Sequence, residues 1–531
     1  MESECLPFTR IPHTSRLFAD YLAYAPQVRK FYPRSPYIAE WAAEEAKLIE
    51  YPDDRRQQVA DILDRQNRTF GASEKTFANI KKLRERAAAV VTGQQVGVFG
   101  GPLFAILKAL TAVADSEKSG VPCVPIFWLA TEDHDIAEVS KTWVPGEDGS
   151  LRTIEVLPSS APDVPVGDVR FGAEITNAVE QLADLLGPSD VTDAIIEAYR
   201  SGNRMGDAFG KLFAKIFADF GVILIDAYDP ELHRIAEPIY RTAAEQAAEI
   251  TDLLLQRGKE LESDGYHEQV KVTKPSTLLF EIIDGQRTVI HRVNNHFKAG
   301  AQQFTREELI GRIKDHPELF SANVLLRPVM QDYLLPTLAY VGGPAEVAYF
   351  AQGTLVHKQI LGRQTPVLPR LSATIVDPKQ QKLLKKYGLK LSDLFEDPEK
   401  LAVGIAKKVM PESLRSNLTA ADQAIASAYA RLYEDLQRLD PTLVRAAKRT
   451  EGKMHYQVEK LGSRAARAEI RRNEIITRHA QTLSTHLFPN KNLPEREIAG
   501  VYYLAKYGMD LLSTWYEAAK KDCPNHQVLY L

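Results

Sequence analysis

The hydrophobic and polar positions of this chain change pattern twice between its two ends. The first 85 or so residues, 1–85, hold polar, alanine-containing runs such as WAAEEAKLIE, which predict helices because they show no strand-like alternation. Beyond them, short and continuously apolar runs alternate with longer amphipathic ones. A strand, a glycine-rich turn, a helix and a second strand in this order are typical of a parallel sheet. The pattern therefore predicts a doubly wound α/β core.

Apolar runs of strand length recur in this part of the chain without alternation, as in strands that are buried on both faces. They cover residues 87–91, 123–130 and 222–227, with a possible last strand at 365–370. Residues 271–293 do alternate, around Asp284 and Gly285, which indicates a β-hairpin. We therefore expect a core over residues 1–375 that carries small inserts at about 141–200 and 262–320.

A second pattern begins near residue 412, where apolar or alanine residues fall at nearly heptad spacing. Asp440-Pro441 divides this stretch into two predicted helices, because proline is tolerated in the first turn of a helix but not in its interior. The pattern predicts an antiparallel coiled-coil hairpin that projects as an arm. We place the arm at residues 376–497 and expect residues 498–531 to return to the core as a final helix.

Charge and cysteine content narrow the class of protein. Lys+Arg 66 against Asp+Glu 70 leaves a net charge of -4, without the basic excess that nucleic-acid binding requires. The N-terminus shows no signal peptide, and no apolar run approaches the roughly 20 residues of a membrane span. Cys5, Cys123 and Cys523 lie far apart, so we expect neither a disulfide framework nor a zinc site. A cytoplasmic protein without nucleic-acid or membrane partners is predicted.

Three polar clusters follow predicted strands, at the edge where open parallel sheets bind ligands. The first cluster consists of Thr92, Gly93, Gln94 and Gln95. Glycine lets the backbone approach a ligand closely, and the two glutamines offer donors and acceptors to a polar substrate. Gly100 and Gly101 follow, before a predicted helix whose N-terminus could hold a phosphate. A tight turn without a ligand is the alternative, since the spacing matches no established nucleotide motif.

The second cluster is Glu132, Asp133, His134 and Asp135, directly after an apolar strand. Three acids around one histidine concentrate titratable groups at the end of a strand, and neighbouring carboxylates would orient the imidazole. His134 as a general base, oriented by Asp133 or Asp135, would suit the deprotonation of an attacking amine. The alternative is an acidic helix cap, which needs one acid and not three. We favour a catalytic role for Asp133, His134 and Asp135, and predict no metal ligand among them.

The third cluster, Gly342, Gly343 and Glu346, stands between an apolar strand and a predicted helix. It would form the opposite wall of a cleft, with Glu346 pointing inward. A glutamate that merely favours the first turn of a helix is an equally good interpretation. Arg327 and Gln331 precede this strand, and an arginine suits carboxylate recognition. These residues complete the predicted substrate-binding set.

Four segments, in this order and with this coiled coil, resemble the bacillithiol biosynthesis cysteine-adding enzymes, the BshC family. The segments are TGQQVGVFGGPLFAILKALT, VPIFWLATEDHDIAEV, RPVMQDYLLPTLAYVGGPAEVAYFAQ and LFPNKNLPER. The resemblance implies a Rossmann-like core with connecting-peptide inserts and a coiled coil through which two identical chains dimerise. It also implies a cysteine ligase that joins cysteine to glucosamine malate in the last step of bacillithiol biosynthesis.

That reaction needs an activated carboxyl group, and ATP is the usual activator, so we expect an adenine nucleotide (ATP or ADP) to bind. Gly100 and Gly101 are the candidate phosphate contacts, and the sequence leaves a metal requirement open. Two alternatives remain. One is an ATP-dependent ligase or transferase acting on a different small amine, and the other is a non-catalytic coiled-coil assembly protein whose core only binds a ligand.

Overall fold

The computed structural model describes residues 2–146, 148–156, 163–294, 296–521 and 523–531. Residues 147 and 157–162 of the predicted insert at 141–200, and residue 295 of the insert at 262–320, lie outside this set. The strands are β1 (Glu2–Leu6), β2 (Ala88–Gln94), β3 (Cys123–Leu129), β4 (Lys141–Pro145), β5 (Leu151–Glu155), β6 (Ile223–Asp226), β7 (Ser276–Ile283), β8 (Gln286–Val293), β9 (His296–Ala299), β10 (Gln302–Phe304), β11 (Phe320–Ala322), β12 (Thr337–Gly342), β13 (Val367–Pro369), β14 (Ala373–Val376) and β15 (His526–Tyr530).

The helices of the first 375 residues surround these strands. They are α1 (Arg16–Leu22), α2 (Ala42–Glu45), α3 (Asp53–Phe70), α4 (Glu74–Arg84), α5 (Leu103–Lys118), α6 (Ile136–Val139), α7 (Glu174–Leu186), α8 (Asp190–Ala198), α9 (Met205–Ile216), α10 (Pro230–Glu245), α11 (Ala247–Ser263), α12 (Arg306–Asp315), α13 (Arg327–Leu334) and α14 (Pro344–Leu361). The remaining helices are α15 (Pro378–Tyr387), α16 (Pro398–Val409), α17 (Glu412–Leu439), α18 (Pro441–Arg472), α19 (Glu474–Leu487), α20 (Pro494–Glu497), α21 (Gly500–Tyr507) and α22 (Leu511–Ala519).

The central sheet has five parallel strands in the order β13-β12-β2-β3-β6, which confirms the predicted α/β class. Its middle strand, β2, is buried along its length because helices cover both faces, and the run therefore needs no polar alternation. After β2 the chain builds β3 and β6 on one side and only later returns to add β12 on the other. The carboxyl ends of β12, β2 and β3 consequently face a crevice at a topological switch point.

The predicted hairpin is confirmed as β7 and β8 of a second, antiparallel sheet with the strand order β10-β9-β8-β7-β11. Asp284 and Gly285 both have positive φ angles, 51° and 78°, as the tight turn between twisted strands requires. The hairpin stands beside the carboxyl edge of the central sheet. Phe280 and Arg287, on its two strands, thereby reach the crevice.

The two ends of the chain pair in a third sheet, which the sequence pattern did not predict. β1 lies antiparallel to β15, and β15 lies parallel to β14. The prediction of helices alone over residues 1–85 is therefore wrong at β1. The predicted final helix is likewise two helices, α21 and α22, separated at Gly508, and β15 follows them.

This end-to-end pairing also overturns the expectation about the cysteines. Cys5 and Cys523 form a disulfide, with Cα atoms 6.6 Å apart although the two residues are 518 positions apart in sequence. Their spacing along the chain carried no sign of this, because only the pairing of β1 with the C-terminal segment brings them together. Cys123 is the free cysteine, and burial raises the pKa of its thiol to about 12, as for an inert side chain.

The arm is an antiparallel pair of long helices, α17 and α18, as the heptad pattern predicted. The 32 residues of α18 extend about 48 Å at 1.5 Å per residue. The second helix of the arm, α18, is shorter than the predicted arm. It ends at Arg472, and the Asn473 side chain accepts a hydrogen bond from the Ile475 N–H to begin α19, which packs against α16 at the base of the arm. None of the helices in the described ranges is long and apolar enough to cross a membrane.

Candidate functional site

A cavity of about 680 Å³ occupies the crevice at the carboxyl ends of β2, β3 and β12. The hairpin of β7 and β8 forms one side of it, and the N-terminal parts of α13 and α14 form another. Such a volume suits a small organic molecule. Residues from all three predicted clusters line it, namely Gly93, Gln94, Gln95, Glu132, Asp133, Arg327, Gly343 and Glu346.

Within the first cluster, Gly93 of β2 lies opposite Trp128 of β3. A Cβ at Gly93 would lie 2.9 Å from both the Cβ and the carbonyl oxygen of Trp128, so no larger residue fits. The Gln95 amide donates to Asp133 Oδ2 at 2.7 Å and to Glu138 Oε2 at 2.9 Å, which joins the first cluster to the second. Thr92 is buried below the cavity, where its hydroxyl donates to the Val341 carbonyl at 2.8 Å.

The structure places Gly100 and Gly101 outside the cavity, in the hydrophobic core behind it. The Gly100 N–H donates to the Tyr199 hydroxyl at 3.2 Å, and a Cβ at Gly100 would lie 3.3 Å from a methyl group of Leu212. The first amide of α5, at Leu103, donates to the Ile498 carbonyl at 2.9 Å. These contacts leave no room for a phosphate at this turn, so its residues do not fit the predicted nucleotide contact.

Only part of the second cluster lines the cavity, namely Glu132 and Asp133. Asp133 lines the cavity, while the His134 ring packs behind it and its Nδ1 lies 3.2 Å from the Arg287 guanidinium. Asp135 is exposed and caps α6, accepting from the Glu138 N–H at 3.1 Å. Of the three predicted catalytic residues, only Asp133 faces the cavity directly.

Glu132 is the most buried acid of this wall, with 5% of its surface exposed. Its Oε1 has no hydrogen-bond partner among the described residues, although His233 Nε2 lies 3.5 Å away. Burial raises the pKa of the Glu132 carboxyl above its ordinary value of 4.5, and His233 and Arg287 oppose that shift only in part. A buried, incompletely paired carboxyl in a cavity is suited to accept a proton from a ligand or to hold an ammonium group.

We expect Glu132→Gln to raise the melting temperature near neutral pH while lowering activity. Since the folded carboxyl titrates above 4.5, the folded protein binds this proton more tightly than the unfolded chain does. The contribution of Glu132 to stability is therefore present below about pH 4.5 and is lost as the pH rises through the folded pKa. Melting curves of wild type and variant should diverge as the pH rises, and Glu138→Gln, an exposed acid of the same wall, is the control. Parallel curves for Glu132→Gln would contradict this account.

The third cluster holds a buried ion pair. Glu346 accepts from the Gly343 N–H at 2.7 Å and from the Tyr340 hydroxyl at 2.6 Å, and the Lys108 ammonium lies 2.6 Å from its Oε2. Burial alone would raise the pKa of the Glu346 carboxyl, but Lys108 and these donors hold it below its ordinary value. Gly342, the last residue of β12, does not line the cavity. Its carbonyl oxygen accepts a hydrogen bond from the Arg370 N–H at 2.9 Å.

Arg327 lies at the start of α13 and lines the cavity, as predicted for a carboxylate contact. Its guanidinium donates to Gln331 Oε1 at 3.0 Å and to the Tyr349 hydroxyl at 3.1 Å. Among the described residues no carboxylate lies within 4.0 Å of it, so its positive charge has no ion-pair partner. Gln331 is fully buried and contacts Arg327 rather than the cavity.

Sequence reasoning missed four cations that line the cavity, namely Lys108, Arg287, Arg370 and Arg496. The sequence did give a usable signal for Lys108, because this lysine stands alone within the apolar run of residues 103–110 in α5. In the structure it is only 2% exposed. Its ammonium donates to the Gly93 carbonyl at 2.8 Å and to Gln94 Oε1 at 3.0 Å. Arg287 follows the hairpin turn, and nothing in the local sequence indicated that it would reach the cavity. In the described part of the chain, no three His, Cys, Asp or Glu side chains cluster as metal ligands do.

Comparison with known proteins decides the family. The model described as "Bacillithiol biosynthesis BshC, N-terminal Rossmann-like domain" matches residues 1–371, and "Bacillithiol biosynthesis BshC, C-terminal coiled-coil domain" matches residues 373–531. The chain belongs to the BshC family. The predicted family and the predicted combination of a Rossmann-like core with a coiled coil are thereby confirmed.

Relatives of this BshC-family chain match it from end to end. A protein of Koribacter versatilis is 48% identical over 532 residues, and one of Solibacter usitatus is 36% identical over 534, each covering 100% of both chains. A protein of Salinibacter ruber is 34% identical over 97% of this chain and 96% of its own. All three are named "Putative cysteine ligase BshC". A ligase is the enzyme class that these names give, in agreement with the sequence prediction.

Proposed function

We propose that the protein joins the carboxyl group of cysteine to the amino group of glucosamine malate, as the last step of bacillithiol biosynthesis. The observation that carries the proposal is one cavity lined both by the carboxyl groups of Glu132 and Asp133 and by the guanidinium of Arg327, which has no acidic partner among the described residues. Both substrates combine an amine with at least one carboxylate, and side chains of opposite charge in one cavity would orient them. Family membership supports the choice of this reaction over others.

In this proposal the amine nitrogen attacks the carboxyl carbon of cysteine and forms the amide bond. The amine must first lose a proton, and Asp133 or Glu132 is placed to accept it. His134 then acts behind Asp133, where it and Arg287 fix the direction of the carboxylate. Gln94, Gln95 and Glu346 would position the sugar-acid substrate by hydrogen bonds. These last three side chains are already bonded to neighbours, so little reorganisation is needed on binding.

We propose ATP as the co-substrate that activates the carboxyl group, since a free carboxylate is a poor electrophile and its oxygen must leave with a phosphate-bearing group. The turn at Gly100 and Gly101 does not fit phosphate. The cations of the cavity wall are the groups of suitable charge.

We further propose that two copies of the chain form a homodimer through the arm. We also propose that the protein is cytoplasmic and binds neither nucleic acid nor membranes. Exposed large apolar side chains along the arm support the dimer, since a solvated hairpin has no need of them. They are Leu414, Leu432, Leu439, Leu443, Met454, Tyr456 and Leu461.

The experiment that tests the function is incubation of the purified protein with cysteine and glucosamine malate, with and without ATP and magnesium. Bacillithiol is detected by mass spectrometry. Product that requires ATP supports both the ligase and its co-substrate, and product without ATP overturns the co-substrate alone. Folded protein that forms no product under any condition would contradict the proposal. Other small amines in place of glucosamine malate then test the broader ligase alternative.

A further inference from the structure

The short segment Pro494-Glu495-Arg496 belongs to the C-terminal part of the chain, yet it reaches the cavity of the core. Arg496 lines the cavity, and Glu495, its neighbour in α20, is 1% exposed behind the wall. The segment lies within LFPNKNLPER, the stretch that ends α19 and leads into α20. The positions of Glu495 and Arg496 indicate that this segment takes part in the site.

Glu495 holds one of the cavity arginines in place. Its Oε1 accepts from Arg370 Nη2 at 2.7 Å and from the Ser372 hydroxyl at 2.8 Å, and its Oε2 accepts from the Ala373 N–H at 2.7 Å. Burial alone would raise the pKa of the Glu495 carboxyl, but Arg370 holds it below its ordinary value, so the side chain stays a carboxylate. A fully hydrogen-bonded carboxylate of this kind fixes the guanidinium that it pairs with.

Arg370 is thereby fixed against the cavity wall. Its Nη1 donates to the Leu371 carbonyl at 2.8 Å, and its guanidinium carbon lies 5.3 Å from the centre of the Phe104 ring. Its Nε lies next to Gly343, 3.3 Å from the position that a Cβ of this glycine would take. Among the described residues, this Nε has no hydrogen-bond acceptor. The fixed guanidinium therefore stands in the cavity wall, next to Gly343.

Arg496 adds a second positive charge to the same cavity. Its side chain is exposed, and within the described ranges no carboxylate lies within 4.0 Å of it. Two arginine side chains, one fixed and one free, can together meet an oxyanion with several donors.

We infer that Arg370 and Arg496 form an oxyanion subsite of the cavity, and that Glu495 is its positioning residue. The C-terminal part of the chain would then complete a site that the core alone leaves unfinished. The ligand group is a carboxylate or a phosphate, and either is recognised by the same donors. This inference rests on the proposed function only in that substrate occupies this cavity.

Calorimetric titration of the full-length protein with two probes, L-malate and inorganic triphosphate, tests the subsite. We expect the wild type to bind at least one probe and Arg496→Gln to bind that probe roughly tenfold more weakly, as for the loss of one charged hydrogen bond. Arg471→Gln, an exposed arginine at the end of α18, is the matched control and should bind as the wild type does. The probe that loses affinity identifies the ligand group as carboxylate or phosphate.

Glu495→Gln tests the positioning role, with Glu497→Gln in the same short helix as its control. We expect Glu495→Gln to raise the KM for the substrate that carries the oxyanion about tenfold, with a smaller change in kcat, because Arg370 would no longer be fixed. A general loss of structure would lower the amount of active enzyme without moving KM. If this variant does not fold, the Arg496→Gln titration still decides the question.

Two outcomes overturn the inference, namely a wild type that binds neither probe and an Arg496→Gln variant that binds both as the wild type does. Because the titration requires no turnover, its result is independent of the ligase assay. If the wild type forms product but Arg496→Gln binds both probes as the wild type does, the proposed function is supported and the subsite is contradicted. If Arg496→Gln binds a probe more weakly but the wild type forms no product, the subsite is supported and the proposed function is contradicted.

Discussion

Lys108→Met should lower the free energy of unfolding by about 3–5 kcal/mol, the cost of leaving a buried charge without its partner. The variant keeps an unbranched side chain up to Cε but removes the ammonium that lies 2.6 Å from Glu346 Oε2. The Gly93 carbonyl and Gln94 Oε1 would also lose a donor. Urea denaturation, followed by circular dichroism, measures the change in the first unfolding transition. We expect ligase activity to fall as well, because the lost bonds hold the end of β2 at the cavity.

The double variant Lys108→Met/Glu346→Gln separates the two effects. Removing both charges removes the buried unpaired carboxylate, so the double variant should recover much of the lost stability. Its activity should stay low, since neither Gly93 nor Gln94 regains its donor. A single variant as stable as the wild type, or a double variant less stable than the single one, would contradict the assigned ion pair.

Arg327→Met should lower kcat/KM about 100-fold, or roughly 2.7 kcal/mol of transition-state stabilisation. This guanidinium lines the cavity without an acidic partner within the described part of the chain, so a substrate carboxylate is the group that would neutralise it. Burial alone would lower the pKa of Arg327, but Tyr349 and the other neighbours raise it overall, which keeps the side chain charged. Steady-state kinetics with each substrate varied in turn identifies which of them loses affinity.

Arg327→Lys tests whether charge alone suffices. Lysine keeps the charge but cannot bond Gln331, Tyr349 and a ligand at once, so we expect an intermediate loss. Arg363→Met is the matched control, because Arg363 donates to the Thr337 carbonyl at 2.9 Å and does not line the cavity. Wild-type kcat/KM in Arg327→Met would remove this residue from substrate binding.

The local patterns of the sequence were sufficient for the fold class and for much of the cavity wall. Continuous apolar runs predicted β2 and β3 because strands buried on both faces are apolar throughout. The polar residues that follow such strands had to meet at one edge of the sheet, and Gln95 does contact Asp133 there. Asp284-Gly285 predicted the hairpin correctly because only a few residue types tolerate positive φ.

Other predictions depended on side-chain direction, which local patterns do not carry. The same holds for backbone direction, since Gly100 and Gly101 have the composition of a phosphate-binding turn, but Gly100 packs against Leu212 and its N–H is bonded to Tyr199. Asp135 follows the same strand as Glu132, yet it caps α6 while Glu132 is buried at the cavity. A strand end fixes where a residue lies and leaves open which way its side chain points.

The sequence by itself determined the parallel sheet, the hairpin, the arm and the three strand ends that meet at the cavity, because each depends on hydrophobic periodicity or turn chemistry within a few residues. Only the tertiary structure decided which distant side chains meet. The pairs Cys5 with Cys523, Lys108 with Glu346, and Arg370 with Glu495 join residues 518, 238 and 125 positions apart. Contacts over such separations follow from how whole elements pack, and no local pattern of residues records that packing.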